Sequence, residues 1–94
     1  MIVFCEYVVQ EEYRDKYLGW VRSQPERWRN VELAENTAQP GVFVEWQRAG
    51  SEQEADNIAK ERREGRSGWS EMESWVKRGA AGVRVWIFRP VSGV

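Results

Sequence analysis

The sequence MIVFCEYVV at residues 1–9, followed at once by QEEYRDKYLGWV at residues 10–21, decides the predicted fold. The first segment is β-branched and aromatic, and it is apolar on both faces except at Glu6, which is typical of a central strand. In the second segment the apolar residues recur with the spacing of one helix face: Tyr13, Tyr17, Trp20 and Val21. Pro25 predicts that this helix ends at Gln24.

Two strands are predicted next, over residues 31–38 and 42–48. They flank Pro40-Gly41, and this dipeptide suits a type II turn because Gly tolerates the positive φ that the turn requires. The two strands are therefore expected to form a hairpin.

Helix capping signals follow the hairpin. Ser51 and Glu54 have capping-box spacing, which predicts a helix running to about residue 64, with Arg62 on its apolar face. Ser70 and Glu73 repeat the spacing and predict a short helix over residues 71–77. Residues 83–89 predict the last strand.

The predicted order β-α-β-β-α-β indicates an α+β, ferredoxin-like fold for residues 1–94, taken as one domain. Short right-handed connections favour a four-stranded antiparallel sheet with the helices on one face. The most aliphatic set of each strand is expected to face the helices: Val3, Cys5 and Tyr7; Val42, Val44 and Trp46; Val83, Val85 and Ile87.

The opposite face of the sheet is then expected to be unusually apolar. Such an exposed patch usually marks an interface, and a second copy of the sheet is the simplest cover. The chain is therefore predicted to be a homodimer with a cavity for a small apolar or aromatic molecule between the sheets. The predicted ligand pocket is formed by Phe4, Glu6, Phe43, Glu45, Arg84, Trp86 and Phe88.

The whole chain resembles the dimeric α/β-barrel superfamily, which includes antibiotic biosynthesis monooxygenase-like and NIPSNAP-like domains. The resemblance rests on the opening strand and helix, on the Pro40-Gly41 hairpin and on the closing strand, and it concerns topology and patterning. It implies a homodimer with a pocket, but no particular activity, since this fold carries many functions. Haem-binding or His-dependent members cannot be matched here.

The composition excludes several kinds of chemistry. The chain has no His and one Cys, so imidazole catalysis, a His-based metal site and an internal disulfide are excluded, and no cofactor or metal is expected. Lys and Arg number 14 against 15 acidic residues, which argues against nucleic-acid binding. No signal peptide or membrane-spanning segment is indicated, and a cytoplasmic location is expected.

Each candidate side chain also has a structural interpretation. Glu6 and Glu45 are candidates for a catalytic base and Arg84 for an anion ligand, yet they can equally pair with one another across the sheet. Trp86 is a candidate stacking surface, while the other five Trp are expected to be core or interface residues. Cys5 is expected to be an inert buried thiol.

Three functions remain open from the sequence. The first is a homodimeric domain binding a small apolar or aromatic molecule. The second is a cofactor-independent monooxygenase-like enzyme acting on an electron-rich aromatic substrate, with a carboxylate base. The third, an RNA-binding module, is disfavoured because residues 40–45 depart from the Lys/Arg-Gly-Phe/Tyr pattern of the RNA recognition motif. Glu45 would also repel a nucleic-acid backbone there.

Overall fold

The strands and helices follow the predicted alternation, in a computed structural model that describes all 94 residues. Single turns of 3₁₀ helix at Glu11–Tyr13 and Gly79–Gly82 precede α1 and β4. The remaining elements are β1 (Ile2–Val8), α1 (Arg14–Arg22), β2 (Glu32–Glu35), β3 (Val42–Arg48), α2 (Glu52–Glu64), α3 (Ser70–Glu73) and β4 (Arg84–Phe88).

The four strands form one antiparallel sheet in the order β2-β3-β1-β4, which confirms the ferredoxin-like α+β fold. β1 is central, as its two-sided apolar pattern predicts. Its odd-numbered residues Val3, Cys5 and Tyr7 are at most 2% exposed and face the helices. The even-numbered Phe4 and Glu6 lie on the opposite side, hereafter the outer face.

The predicted orientation of β3 is wrong. Cys5 pairs with Glu45 and Tyr7 with Phe43, so Phe43 and Glu45 face the helices and are 2% and 1% exposed. Val42, Val44 and Trp46 lie on the outer face instead. A buried carboxylate is unfavourable unless it is paired, and Glu45 meets Arg62 of α2, which compensates its charge.

Capping explains where α2 begins. The Ser51 hydroxyl accepts a hydrogen bond from the Glu54 amide at 3.1 Å, and the Glu54 carboxylate reaches back to the Gly50 amide at 2.9 Å. The helix ends at Gly65, whose φ of 65° suits glycine. α2 buries Ala55 and Ala59.

Two predicted elements are shorter than expected. β2 stops at Glu35 because the side chain of Asn36 accepts hydrogen bonds from the amides of Ala38 and Gln39, which turns the chain. The predicted helix over 71–77 is one turn, α3, without a side-chain cap at Ser70. Beyond that turn Val76 forms a bridge with Val9 at the end of β1.

Four tryptophans extend the core beyond the helices. Their rings pack at 5.5–6.2 Å between centroids, mostly edge to face: Trp20, Trp28, Trp69 and Trp75. This packing agrees with the predicted core role of these residues. Trp46 and Trp86 lie on the outer face and are 38% and 41% exposed. None of the helices has the length and apolar character needed to cross a membrane.

Candidate functional site

A buried polar cluster joins four elements beneath the sheet. It consists of Tyr7 of β1, Tyr17 of α1, Glu45 of β3 and Arg62 of α2, each at most 2% exposed. Each residue belongs to a different element, so the cluster fixes how the helices lie on the sheet.

Glu45 is the acceptor at the centre of this cluster. Arg62 donates to both carboxylate oxygens, with Nη2 2.9 Å from Oε2, and the Tyr7 hydroxyl donates to Oε2 as well. The hydroxyl groups of Tyr7 and Tyr17 are 2.6 Å apart and form a second hydrogen bond. The carboxylate therefore has partners on both oxygens, an arrangement that makes a buried charge tolerable.

The guanidinium of Arg62 is enclosed on all sides. It lies over the Trp69 ring, 3.6 Å from the centroid, in a cation–π contact. Its Nη atoms also approach Cys5 Sγ and Met72 Sδ, each at 3.6 Å. Only Nε has no hydrogen-bond partner.

Burial and the Glu45 charge set the protonation of the neighbouring groups. Burial, followed by the adjacent carboxylate, raises the pKa of Tyr7, so its phenol keeps its proton. Burial raises the pKa of the Cys5 thiol to about 12. Burial alone would lower the pKa of Arg62, but the Glu45 carboxylate outweighs it and the pKa is raised.

The cluster therefore acts as a structural cross-link. Glu45 has no free lone pair directed at solvent and no access for a substrate, so the predicted role of this residue as a catalytic base does not fit its position. Tyr7 and Tyr17 could by type supply a phenol to a pocket, but nothing in the sequence predicts that their hydroxyl groups meet Glu45. The available signal was Arg62, a charged residue at helical spacing among Ala55, Ile58 and Ala59.

The other residues of the predicted ligand pocket lie close together on the outer face. Phe4 contacts the rings of Trp86 and Phe88, both at 5.9 Å between centroids. Trp86 and Phe88 are 41% and 50% exposed, and no helix covers them. Glu6 and Arg84 lie beside them, 3.8 Å apart between Oε1 and Nη1.

One end of the sheet holds an open depression of about 400 Å³, hereafter the sheet-end pocket. It lies between the ends of β1, β3 and β4 and the connector before β4. Its apolar lining includes Val8 and Val42. Its polar lining is Glu6, Gln39, Lys77, Arg78 and Arg84.

The structure thus divides the predicted ligand pocket. Five of its residues lie on the outer face: Phe4, Glu6, Arg84, Trp86 and Phe88. Only Glu6 and Arg84 also line the sheet-end pocket. Phe43 and Glu45 are in the core under the helices. Trp46 lies on the outer face although it was expected on the other side. Lys77 and Arg78 of the sheet-end pocket were not predicted as site residues.

The fold and this face define a ferredoxin-like α+β domain whose sheet is covered on one side only. No protein-family model matches the chain, and no curated protein matches it. The crystal structure of an antibiotic biosynthesis monooxygenase is similar, with a TM-score of 0.72 and 16% sequence identity, over 97% of this chain and 99% of that chain. At the level of the fold, this likeness confirms the resemblance to the antibiotic biosynthesis monooxygenase-like group.

Proposed function

We propose that the chain is a homodimeric domain in which the outer faces of two copies pack together and enclose a site for a small apolar or aromatic molecule. The main support is the set of large side chains on an uncovered sheet face. They are 38–50% exposed: Val8, Trp46, Trp86 and Phe88. Contiguous apolar surface of this kind marks an interface or a ligand site in soluble proteins.

The single chain exposes more surface to solvent than a typical monomer of its mass. A compact monomer of this mass exposes about 5,700 Å² on the general scaling, whereas this chain exposes 6266 Å². Part of the excess belongs to the tail after β4, where Val91 is 78% exposed. The uncovered outer face, where Phe88 is 50% exposed, contributes to it as well.

The charges on the outer face suit packing of this face against the same face of a second copy. A two-fold interface brings the same patch of both copies together, so it needs both signs of charge within one patch. Glu6 and Arg84 supply them, and their 3.8 Å separation within one chain is a loose ion pair.

Size-exclusion chromatography with light scattering tests the dimer. Phe88→Glu places a charge on the outer face and is expected to give a monomer, since an unpaired charge in an apolar interface is unfavourable. Val91→Glu makes the same kind of change in the exposed tail and should leave the dimer intact. Equal masses for both variants and the wild type would contradict the proposed interface.

A second candidate is a cofactor-independent monooxygenase-like enzyme, favoured by the likeness to an antibiotic biosynthesis monooxygenase. Of the two candidate bases, Glu6 remains, because its side chain is 37% exposed and lines the sheet-end pocket. In this function the substrate supplies the electrons for oxygen, and Glu6 accepts a proton from it.

Oxygen consumption with hydroquinone, an electron-rich phenol, tests the second function. The wild type should consume oxygen faster than Glu6→Gln, which keeps the shape of the side chain and removes the base. Glu11→Gln, at an exposed position on the first 3₁₀ turn, serves as the matched control. Equal rates for the wild type, both variants and the buffer alone would rule this mechanism out.

A further inference from the structure

We propose that the sheet-end pocket binds a small organic anion: a carboxylate or phosphate group on an apolar body. This inference rests on the proposed ligand-binding function and names the chemical class of the ligand. The pocket lies at one end of the sheet, and two of its residues, Glu6 and Arg84, also belong to the outer face.

The charge of the pocket is the first support. Lys77, Arg78 and Arg84 line it with one carboxylate, Glu6, so the pocket is cationic although the chain carries a net charge of -1. Neither Lys77 nor Arg78 takes part in an ion pair, and Arg84 has only the 3.8 Å contact with Glu6. Most other arginines of the chain have carboxylate or carbonyl partners.

The connector that carries Lys77 and Arg78 is attached to the sheet. The Lys77 amide donates to Val8 O at 2.8 Å, next to the bridge between Val9 and Val76, which attaches the connector to β1. At Gly82 a Cβ would lie 2.0 Å from Lys77 O, so the loop folds tightly back on itself. A connector whose backbone is already in place loses less entropy when a ligand binds.

The backbone of Arg78 is strained. Its φ is 73°, a left-handed conformation that disfavours residues with a Cβ and is usually filled by Gly or Asn. Strained residues of this kind occur preferentially at binding and catalytic sites. An arginine at this position places a guanidinium on the pocket lining, where a glycine would give the same turn without strain.

The pocket also has an apolar wall and room for more than an ion. Val8 and Val42 line it together with the cations, and the volume of about 400 Å³ is in the range of small-molecule sites. Guanidinium groups form paired hydrogen bonds with carboxylates and phosphates. The combination fits an anionic head group at Lys77, Arg78 and Arg84, with an apolar body against the two valines.

Titration of ¹⁵N-labelled protein with benzoate, phenyl phosphate and neutral benzamide tests this site by NMR. Saturable shifts are expected at the amides of residues 6–8 and 77–82 with at least one of the two anions, and that anion identifies the head group. Benzamide has the same ring without the charge and should bind at least about threefold more weakly, as expected for the loss of an exposed ion pair.

Two variants of opposite effect sharpen the test. Arg78→Gly suits the left-handed backbone, so it removes the guanidinium without threatening the fold, and it should weaken anion binding about threefold to fivefold. Glu6→Gln removes the competing carboxylate and should strengthen binding about twofold or more. Lys60→Ala, on the exposed face of α2, is the matched loss of a distant cation and should change nothing.

The inference is overturned by any of three results. These are no saturable shift at the pocket with either anion, equal binding of benzamide, or equal weakening by Arg78→Gly and Lys60→Ala. Such a failure is distinguishable from failure of the proposed function, because the dimer can still form without an anion site. Conversely, if the protein is monomeric and binds the anion, the proposed dimer is contradicted and the anion site is supported.

Discussion

Arg62 of α2 and Glu45 of β3 form an ion pair in which neither side chain is more than 2% exposed. The two residues are 17 positions apart in the sequence, and their contact joins the helix layer to the sheet. Tyr7 and Trp69 complete the surroundings of the pair. The chain thus uses its one buried carboxylate and its one buried guanidinium to fix its layers.

Breaking this pair should destabilise the fold strongly. Arg62→Met leaves the Glu45 charge buried without its partner and should lower the free energy of unfolding by about 3–5 kcal/mol. Adding Glu45→Gln should recover part of that loss, because the amide is neutral and still accepts from Tyr7. Urea unfolding followed by tryptophan fluorescence measures both variants.

Arg66→Met is the control for this prediction. Arg66 pairs with Glu64 at the surface, with side-chain exposures of 61% and 41%, and its loss should cost less than about 1 kcal/mol. Equal losses for Arg62→Met and Arg66→Met would contradict the structural role of the buried pair.

Glu35 should make the stability depend on pH. Hydrogen bonds from Arg14 and from the Gly41 amide lower its pKa from 4.5 to about 2. The stabilisation is therefore complete above the unfolded pKa of 4.5 and disappears as the pH falls through about 2. The melting temperature of the wild type should exceed that of Glu35→Gln at pH 6, and the two should converge towards pH 2.

Glu11→Gln provides the comparison for the pH series. Glu11 is exposed and forms no ion pair, so its variant should track the wild type throughout. Calorimetry over the pH range measures all three proteins. A constant gap between the wild type and Glu35→Gln down to pH 2 would show that the Arg14 contact is not ionic.

Cys5 should be unreactive in the folded protein. Its side chain is 2% exposed and its pKa is about 12, so almost no thiolate is present at pH 8. A disulfide reagent such as dithionitrobenzoate should modify one thiol per chain in guanidinium chloride and none without it. Rapid modification of the folded protein would mean that β1 is not covered as described.

The fold was predictable because several local signals agree. The β1 pattern, the Ser51 capping box and the Pro40-Gly41 turn, where Gly41 has a φ of 94°, each indicate an element that forms. Together they leave few topologies for a chain of this length. Local agreement of this kind specifies the order of elements without specifying their contacts.

The candidate site was predictable only in part. Phe4, Trp86 and Phe88 were placed on the outer face correctly, because one side of β4 is clearly aliphatic and the matching orientation of β1 puts Phe4 on the other side. Both sides of β3 are apolar, so its orientation depends on whether Glu45 has a buried partner. That partner is Arg62, on a helix that comes later in the chain, and periodicity within β3 contains no information about it.

The homodimer formed through the outer face is the central claim, and an isotope-filtered NOE experiment tests it most directly. Labelled and unlabelled protein are mixed, and only contacts between copies are recorded. We expect contacts from the side chains of Trp86 and Phe88 to outer-face residues of the other copy, together with a mass twice the 11.1 kDa of one chain. A mass of one chain without such contacts, or contacts that arise from α2 instead, would contradict the account.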